Sequence, residues 1–269
     1  MHRRLHFGCD CVLLSAKAVA GQTKMNHQIF LSHGCAVLKS ASLHSGIHAH
    51  LAHQWTFSLN HEPFRLWLDG HWQHLSQVFI PSQTPHQFAD QTGEFLTLLI
   101  DADCTLQYQT QLQQLLQQFF AGNIAGPKVP ATVPPPIAEF LQALSTLRQI
   151  SDERIRQALQ LIQAADHEPD WSAAGLAAAV ALSPGRFLHL FKTQTGVPLR
   201  KYLRWQKLLR VFRLLAAPNR PAFTELALQA GFYDAAHLAN EIRQSFGLAL
   251  SDIVHNSQFF QDESHHKTL

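Results

Sequence analysis

The chain has 269 residues, 46% of them hydrophobic, and a net charge of +2 at pH 7. It is long enough for two domains, each with its own core, and its overall charge is too balanced to name a partner. Four cysteines (Cys9, Cys11, Cys35 and Cys104) form neither a disulfide framework nor a zinc-finger spacing, which excludes small secreted scaffolds and fits a reducing, cytoplasmic setting.

Residues 1–30 open with Arg3 and Arg4 and then imitate a secretory leader. Their apolar run, Val12 to Leu14, is too short, and Lys17 interrupts it. This predicts an unstructured extension, with Met25 as an alternative start. No segment approaches the roughly 20 apolar residues that a membrane-spanning helix needs, so no membrane partner is expected.

Residues 31–104 carry a period of two. Trp55, Phe57 and Leu59 alternate with Thr56, Ser58 and Asn60, and Phe64, Leu66 and Leu68 alternate with Arg65, Trp67 and Asp69. That is the pattern of half-buried strands. Asp69-Gly70 supplies a hairpin turn, and further strands are predicted over Gln77 to Ile80 and Phe95 to Ile100. Short strands at this spacing suggest a barrel or sandwich.

Residues 105–150 switch to helical spacing, with Leu112, Leu115, Leu116, Phe119 and Phe120 on one stripe and Ile137, Phe140, Leu141, Leu144 and Leu147 on another. The Pro-rich run from Gly126 to Pro136 separates them. Two apolar stripes exceed what a connector needs, so this segment is expected to join two copies of the chain as a homodimer.

Residues 151–262 read as entirely helical. Asp152 caps a helix through Ala164, Ser172 a short one through Val180, and Ser183 one through Thr195, which Pro184 opens. A long basic helix spans Leu199 to Ala216 and stops before Pro218 and Pro221. From Trp171 through Thr224 there are nine Lys or Arg and no Asp or Glu, a block suited to a polyanion.

Within this region the chain repeats itself. "SAAGLAAAVALSPGRFLHLFKTQTG" and "FTELALQAGFYDAAHLANEIRQSFG" each place a Leu-Ala pair on a short helix, then a three-residue turn, then a capped helix ending near Gly. This is a helix-turn-helix written twice. Gly231 permits the positive φ of the second turn, while Ala181 must adopt it in the first without glycine's freedom. The second helix of such a unit enters the major groove. In the first copy Phe187, Leu190 and Phe191 form the buried stripe, leaving Arg186, His189 and Lys192 for bases and phosphates, with Gly185 small enough for close approach.

These two stretches resemble the paired motifs of the AraC/XylS transcription factors over about Asp152 to Val254. The resemblance implies a domain of seven helices that places two recognition helices on double-stranded DNA, with RNA polymerase as a further partner. By position it assigns base-facing roles to Gly185, Arg186, Leu188 and His189 in the first unit. In the second it assigns them to Ala235, Ala236, Ala239 and Asn240, with Arg243 nearer a phosphate. Leu250, Val254 and Glu241-Ile242 depart from the family pattern, and the Ala-rich second helix offers few hydrogen bonds to base edges.

The N-terminal half resembles the cupin-like sensor barrel, through "HAHLAHQWTFSL" and "FIPSQTPHQF". Metal-binding cupins supply two His and a Glu from the first segment and a His from the second. Here His48, His50 and His86 match the histidines, and Gln54 stands at the Glu position. The resemblance therefore implies a pocket lined by His48, His50, Gln54 and His86. It is expected to need no cofactor and to hold a small-molecule effector; the alternative is a divalent metal on His48, His50 and His86.

Together these readings give an α+β chain of two domains, an N-terminal antiparallel β-barrel with trailing helices and a C-terminal all-α bundle. The function they imply is a ligand-responsive, DNA-binding regulator with no enzymatic activity. The alternative, a cupin-type metal-dependent enzyme with a helical appendage, leaves the duplicated helix-turn-helix without a purpose.

Overall fold

The computed structural model describes residues 27–32, 35–101, 150–164 and 171–261. The extension 1–26 and nearly all of the 105–150 segment, including both of its apolar stripes, lie outside the described residues. Strands form where side chains alternate: β1 (His27–Ser32), β2 (Cys35–Leu43), β3 (His53–Ser58), β4 (Phe64–Leu68), β5 (His71–Leu75), β6 (Gln77–Ile80), β7 (His86–Phe88) and β8 (Gln91–Ile100). In β4 the residues Phe64, Leu66 and Leu68 are buried while Arg65 is exposed. Asp69 and Gly70 both take positive φ, 53° and 85°, as a two-residue turn into β5 requires.

The structure departs from the sequence expectations at β1, in the closure of the barrel, in the burial of β3 and at the C-terminal end. β1 begins at His27 and pairs antiparallel with β2 from His27↔Ser40 to Ser32↔Cys35, so the strand region takes in residues assigned above to the extension. The strands do not close into one barrel: they form a six-stranded sheet, β6-β3-β8-β2-β1-β9, and a separate three-stranded sheet, β5-β4-β7. Leu43, Phe64, Leu66, Leu68, Ile80, Phe88 and Phe95 make a core cluster drawn from both sheets. β3 is buried along its whole length because β6 and β8 flank it and both of its faces are covered. Its alternation therefore separates two buried faces, one apolar and one polar, rather than core from solvent.

The second half is built from seven described helices: α1 (Glu153–Ala164), α2 (Ala173–Ala179), α3 (Pro184–Thr195), α4 (Leu199–Ala216), α5 (Phe223–Gln229), α6 (Ala235–Phe246) and α7 (Leu250–Asn256). The Ser172 side chain accepts from Gly175 N, Ser183 from Arg186 N and Asp234 from His237 N, each satisfying a helix-start donor. The axes of α2 and α3 meet at 86°. No single helix among the described residues is long and apolar enough to cross a membrane.

The C-terminal region is not wholly helical. Ser257–Gln261 forms a strand, β9, parallel to β1 from His27↔Ser257 to Leu31↔Gln261. Its five residues follow α7 directly, too short a run to show a period of its own. The helical core continues into the sheet: Ile29, Leu51, Ala52 and Phe259 join the cluster that contains Phe187, Trp205 and Leu238. Two hydrogen bonds reinforce the contact, from Trp205 Nε1 to buried Asp101 Oδ1 at 2.7 Å and from Gly46 N to Gly247 O at 2.8 Å.

Candidate functional site

The second helix of the first unit, α3, is anchored by Phe187 and Phe191, both fully buried. Its outward face carries Gly185, Arg186, Leu188, His189 and Lys192, all exposed. A side chain built at Gly185 would meet no atom within 4 Å. The protein itself therefore does not require a glycine there.

The second helix of the second unit, α6, is anchored by Leu238 and Ile242. Ala236, Asn240 and Arg243 are exposed, whereas Ala235 and Ala239 are half-buried. Two neighbours that the sequence did not single out share this exposure, His237 and Tyr233, the latter 85% exposed. Glu241 is nearly buried; its carboxylate lies 3.5 Å from Arg204 of α4 and 3.7 Å from His237. Lys207 of α4 donates to Gly231 O at 2.6 Å, in the turn of this unit. Lys201 donates to Gln83 at 2.6 Å, before β7. The basic block thus does not act as one surface: Arg204 and Lys207 hold the second unit, and Lys201 reaches the sheet half.

The histidine cluster forms through β pairing. His48 and His86 are bridge partners, each N–H donating to the other's carbonyl at 3.0 and 2.9 Å, so their side chains share a face. His50 is two residues further along. The ring centroids stand 4.1 Å apart for His48 and His86, 5.2 Å for His50 and His86 and 5.7 Å for His48 and His50. Gln54 Oε1 lies 2.9 Å from His50 Nε2, so the structure brings all four residues together. Burial pushes His48 down to about 3 and His86 down to about 4, with repulsion from the neighbouring rings adding to it. Burial lowers His50 as well. Burial thus favours the neutral form of all three rings.

His48, His50 and Gln54 line a cavity of about 210 Å³ whose other wall belongs to the helical half: Trp205, Phe212 and Arg213 of α4, and Phe246 and Leu248 at the end of α6. The His50 ring centroid is 6.4 Å from that of Trp205 and 6.1 Å from that of Phe246. Sequence reasoning missed this helical wall. Trp205, Leu208 and Phe212, spaced as i, i+3 and i+7, carry the signal: α4 has an apolar stripe that needs a partner.

Residues 176–255 match a family described as "Helix-turn-helix domain". The Arabinose operon regulatory protein of Escherichia coli (strain K12) is 30% identical over 103 residues, 38% of this chain. The match spans about a third of that relative's length, 34%. Among solved structures, an unsaturated fatty acid bound wild-type ToxT from Vibrio cholerae strain SCE256 aligns with TM-score 0.49 at 9% identity, covering 82% of this chain and 94% of that one. A transcriptional regulator with an AraC-type DNA-binding domain from Chromobacterium violaceum aligns with TM-score 0.31 at 27% identity, covering 34% and 79%. With two helix-turn-helix units in tandem and these sequence matches, the C-terminal half of the chain carries a helix-turn-helix domain over residues 176–255.

Proposed function

We propose that the chain is a sequence-specific DNA-binding transcription regulator that senses a small molecule in the cavity between its sheet and its helices. The exposed face of α3 carries this reading: Arg186, His189 and Lys192 beside the open space at Gly185 form a donor-rich strip of groove-reading size. The cavity supports the sensing role because a ligand there touches β strands, α4 and the end of α6 at once. A molecule that prefers one arrangement of these elements shifts the protein toward it. The walls suit a small, mainly apolar body with a few polar groups placed opposite His48, His50 and Gln54.

Two copies joined through residues 105–150 would present two pairs of units to direct or inverted half-sites, with RNA polymerase as the partner at a promoter. No catalytic role is assigned to the histidines, since the paired helix-turn-helix serves no reaction. The test is equilibrium binding of the full chain to a library of duplex genomic fragments across a salt series. The expected result is specific binding whose logarithm falls linearly with log salt, by about 0.9 for each phosphate neutralised. A folded chain that binds no duplex at low salt would refute the proposal.

A further inference from the structure

β9 comes from the helical half of the chain and sits on the sheet. It lies parallel to β1 from His27↔Ser257 to Leu31↔Gln261, at the end of the strand order β6-β3-β8-β2-β1-β9. β2 flanks β1 on the other side, so β9 covers an edge whose backbone N–H and C=O groups would otherwise be open to another strand. A side chain fixes the register. Phe259, opposite Ile29, is buried. Its ring centroid stands 6.3 Å from that of Phe212 of α4 and 5.3 Å from the guanidinium carbon of Arg220, which lies in the connection between α4 and α5. Ser257 is buried as well, and Gln258 is exposed. The edge of β1 thus offers an extended segment a backbone ladder for affinity and an aromatic pocket for specificity, which is the plan of strand addition.

The same strand bridges two walls of the cavity. His27 and Ile29 of β1, Ser257 of β9, Ile253 and Asn256 of α7 and Phe212 of α4 all line it. α7 ends at Asn256 and β9 begins at Ser257, so α7 cannot move away from the sheet unless β9 peels from β1. The other backbone tie between the halves among the described residues is the bond from Gly46 N to Gly247 O. β9 itself is a short attachment, with five residues and one neighbouring strand. Segments with so few buried contacts open at a free energy below that of global unfolding.

We infer that β9 is a releasable strap. The edge of β1, with Phe212 and Arg220, is a strand-acceptor site that holds the chain's own Ser257–Gln261 segment and takes the same segment supplied in trans. Exchange between the bound and peeled states sets whether the helical half is closed on the cavity. The inference rests on strand geometry and not on the regulatory reading, so it is measured without DNA.

Native-state hydrogen exchange of the full-length wild type needs no variant. Amides of the β1–β9 ladder should exchange about 100-fold or more faster than those of the β2–β8 ladder. In full-length Phe259→Ala the β1 edge should lose its protection, and a fluorescent peptide of residues 256–262 should bind and restore it. Wild type, whose own strap competes, should bind that peptide about 100-fold more weakly. A peptide with alanine in place of Phe259 should restore nothing, and the exposed Gln258→Ala should behave as wild type. The Trp205 indole N–H, bonded to Asp101 across the halves, reads the cavity and should exchange about tenfold faster in Phe259→Ala. The strap is overturned by wild-type β1–β9 amides that exchange only with global unfolding. Peptide binding equal in wild type and Phe259→Ala, or a folded Phe259→Ala that keeps β1 protected and takes no peptide, overturns it too. Unchanged Trp205 exchange would confine release to β9 and overturn its hold on the cavity.

Discussion

The two helix-turn-helix units share a plan and differ in what surrounds them. The first, α2 and α3, presents Arg186, His189 and Lys192 to solvent. In the second, α5 and α6, the outward face is rich in alanine, Glu241 is tied to Arg204 and the end of α6 is bonded to the sheet half through Gly247. One unit leaves its basic face to solvent, and the other is packed against the sheet half of the chain. Duplication of a motif therefore need not duplicate its role, because the neighbours of each copy decide how it is used.

The helix-ending glycines offer the largest contrast. Gly196 and Gly247 take nearly the same φ, 69° and 65°, yet a Cβ on Gly247 would collide with Gly46 O and stand 2.9 Å from His48 Nδ1. Gly196→Ala should cost about 1 kcal/mol of left-handed strain. Gly247→Ala should cost about 3 kcal/mol or more, because the backbone of another element has to move. Denaturant midpoints of the two full-length variants check this, and equal losses would show that the second unit is no more constrained than the first.

Base reading comes next. Arg186→Ala and His189→Ala should each remove about 1–3 kcal/mol of preference at a defined base pair, whereas Asn240→Ala should remove less. Selection from randomised sites reads the outcome. If Asn240→Ala erases more information than Arg186→Ala, the assignment of reader and follower is reversed.

The turns differ more modestly. Ala181 has φ 54° where the second copy has Gly231 at 85°, so Ala181→Gly should stabilise the chain by about 0.5–1 kcal/mol and Gly231→Ala should destabilise it by a similar amount. Thermal melts of both variants decide the signs. Smallest of all, Lys192→Ala should weaken every sequence alike and lower the salt slope by about 1 without altering the preferred site. A changed consensus would place Lys192 on a base.

Local chemistry makes much of this legible in the sequence. Ser183-Pro184 marks the start of α3, the Gly-Val-Pro break and Pro218 bound α4, and Asp69-Gly70 turns the β4–β5 hairpin. His48, His50, Gln54 and His86 are legible as neighbours too, through the resemblance to a sensor barrel. What escapes depends on contacts distant in sequence. β9 is five residues that become a strand only because β1 offers an edge. Charge counting over the basic block cannot see Glu241, which lies outside the block and pairs with Arg204 from another helix. The cavity is a property of two halves meeting, and no period within either half encodes it.

The central claim, that α3 reads DNA while α6 is held against the sensor, is tested most directly by selecting binding sites for the full chain from random duplexes, wild type beside Arg186→Ala. The account predicts a sharply specified segment flanked, about 10–10.5 base pairs away, by a weakly specified one, with the sharp segment degraded in Arg186→Ala. Two segments of equal sharpness that Arg186→Ala leaves intact, or no sequence preference at all, would contradict it.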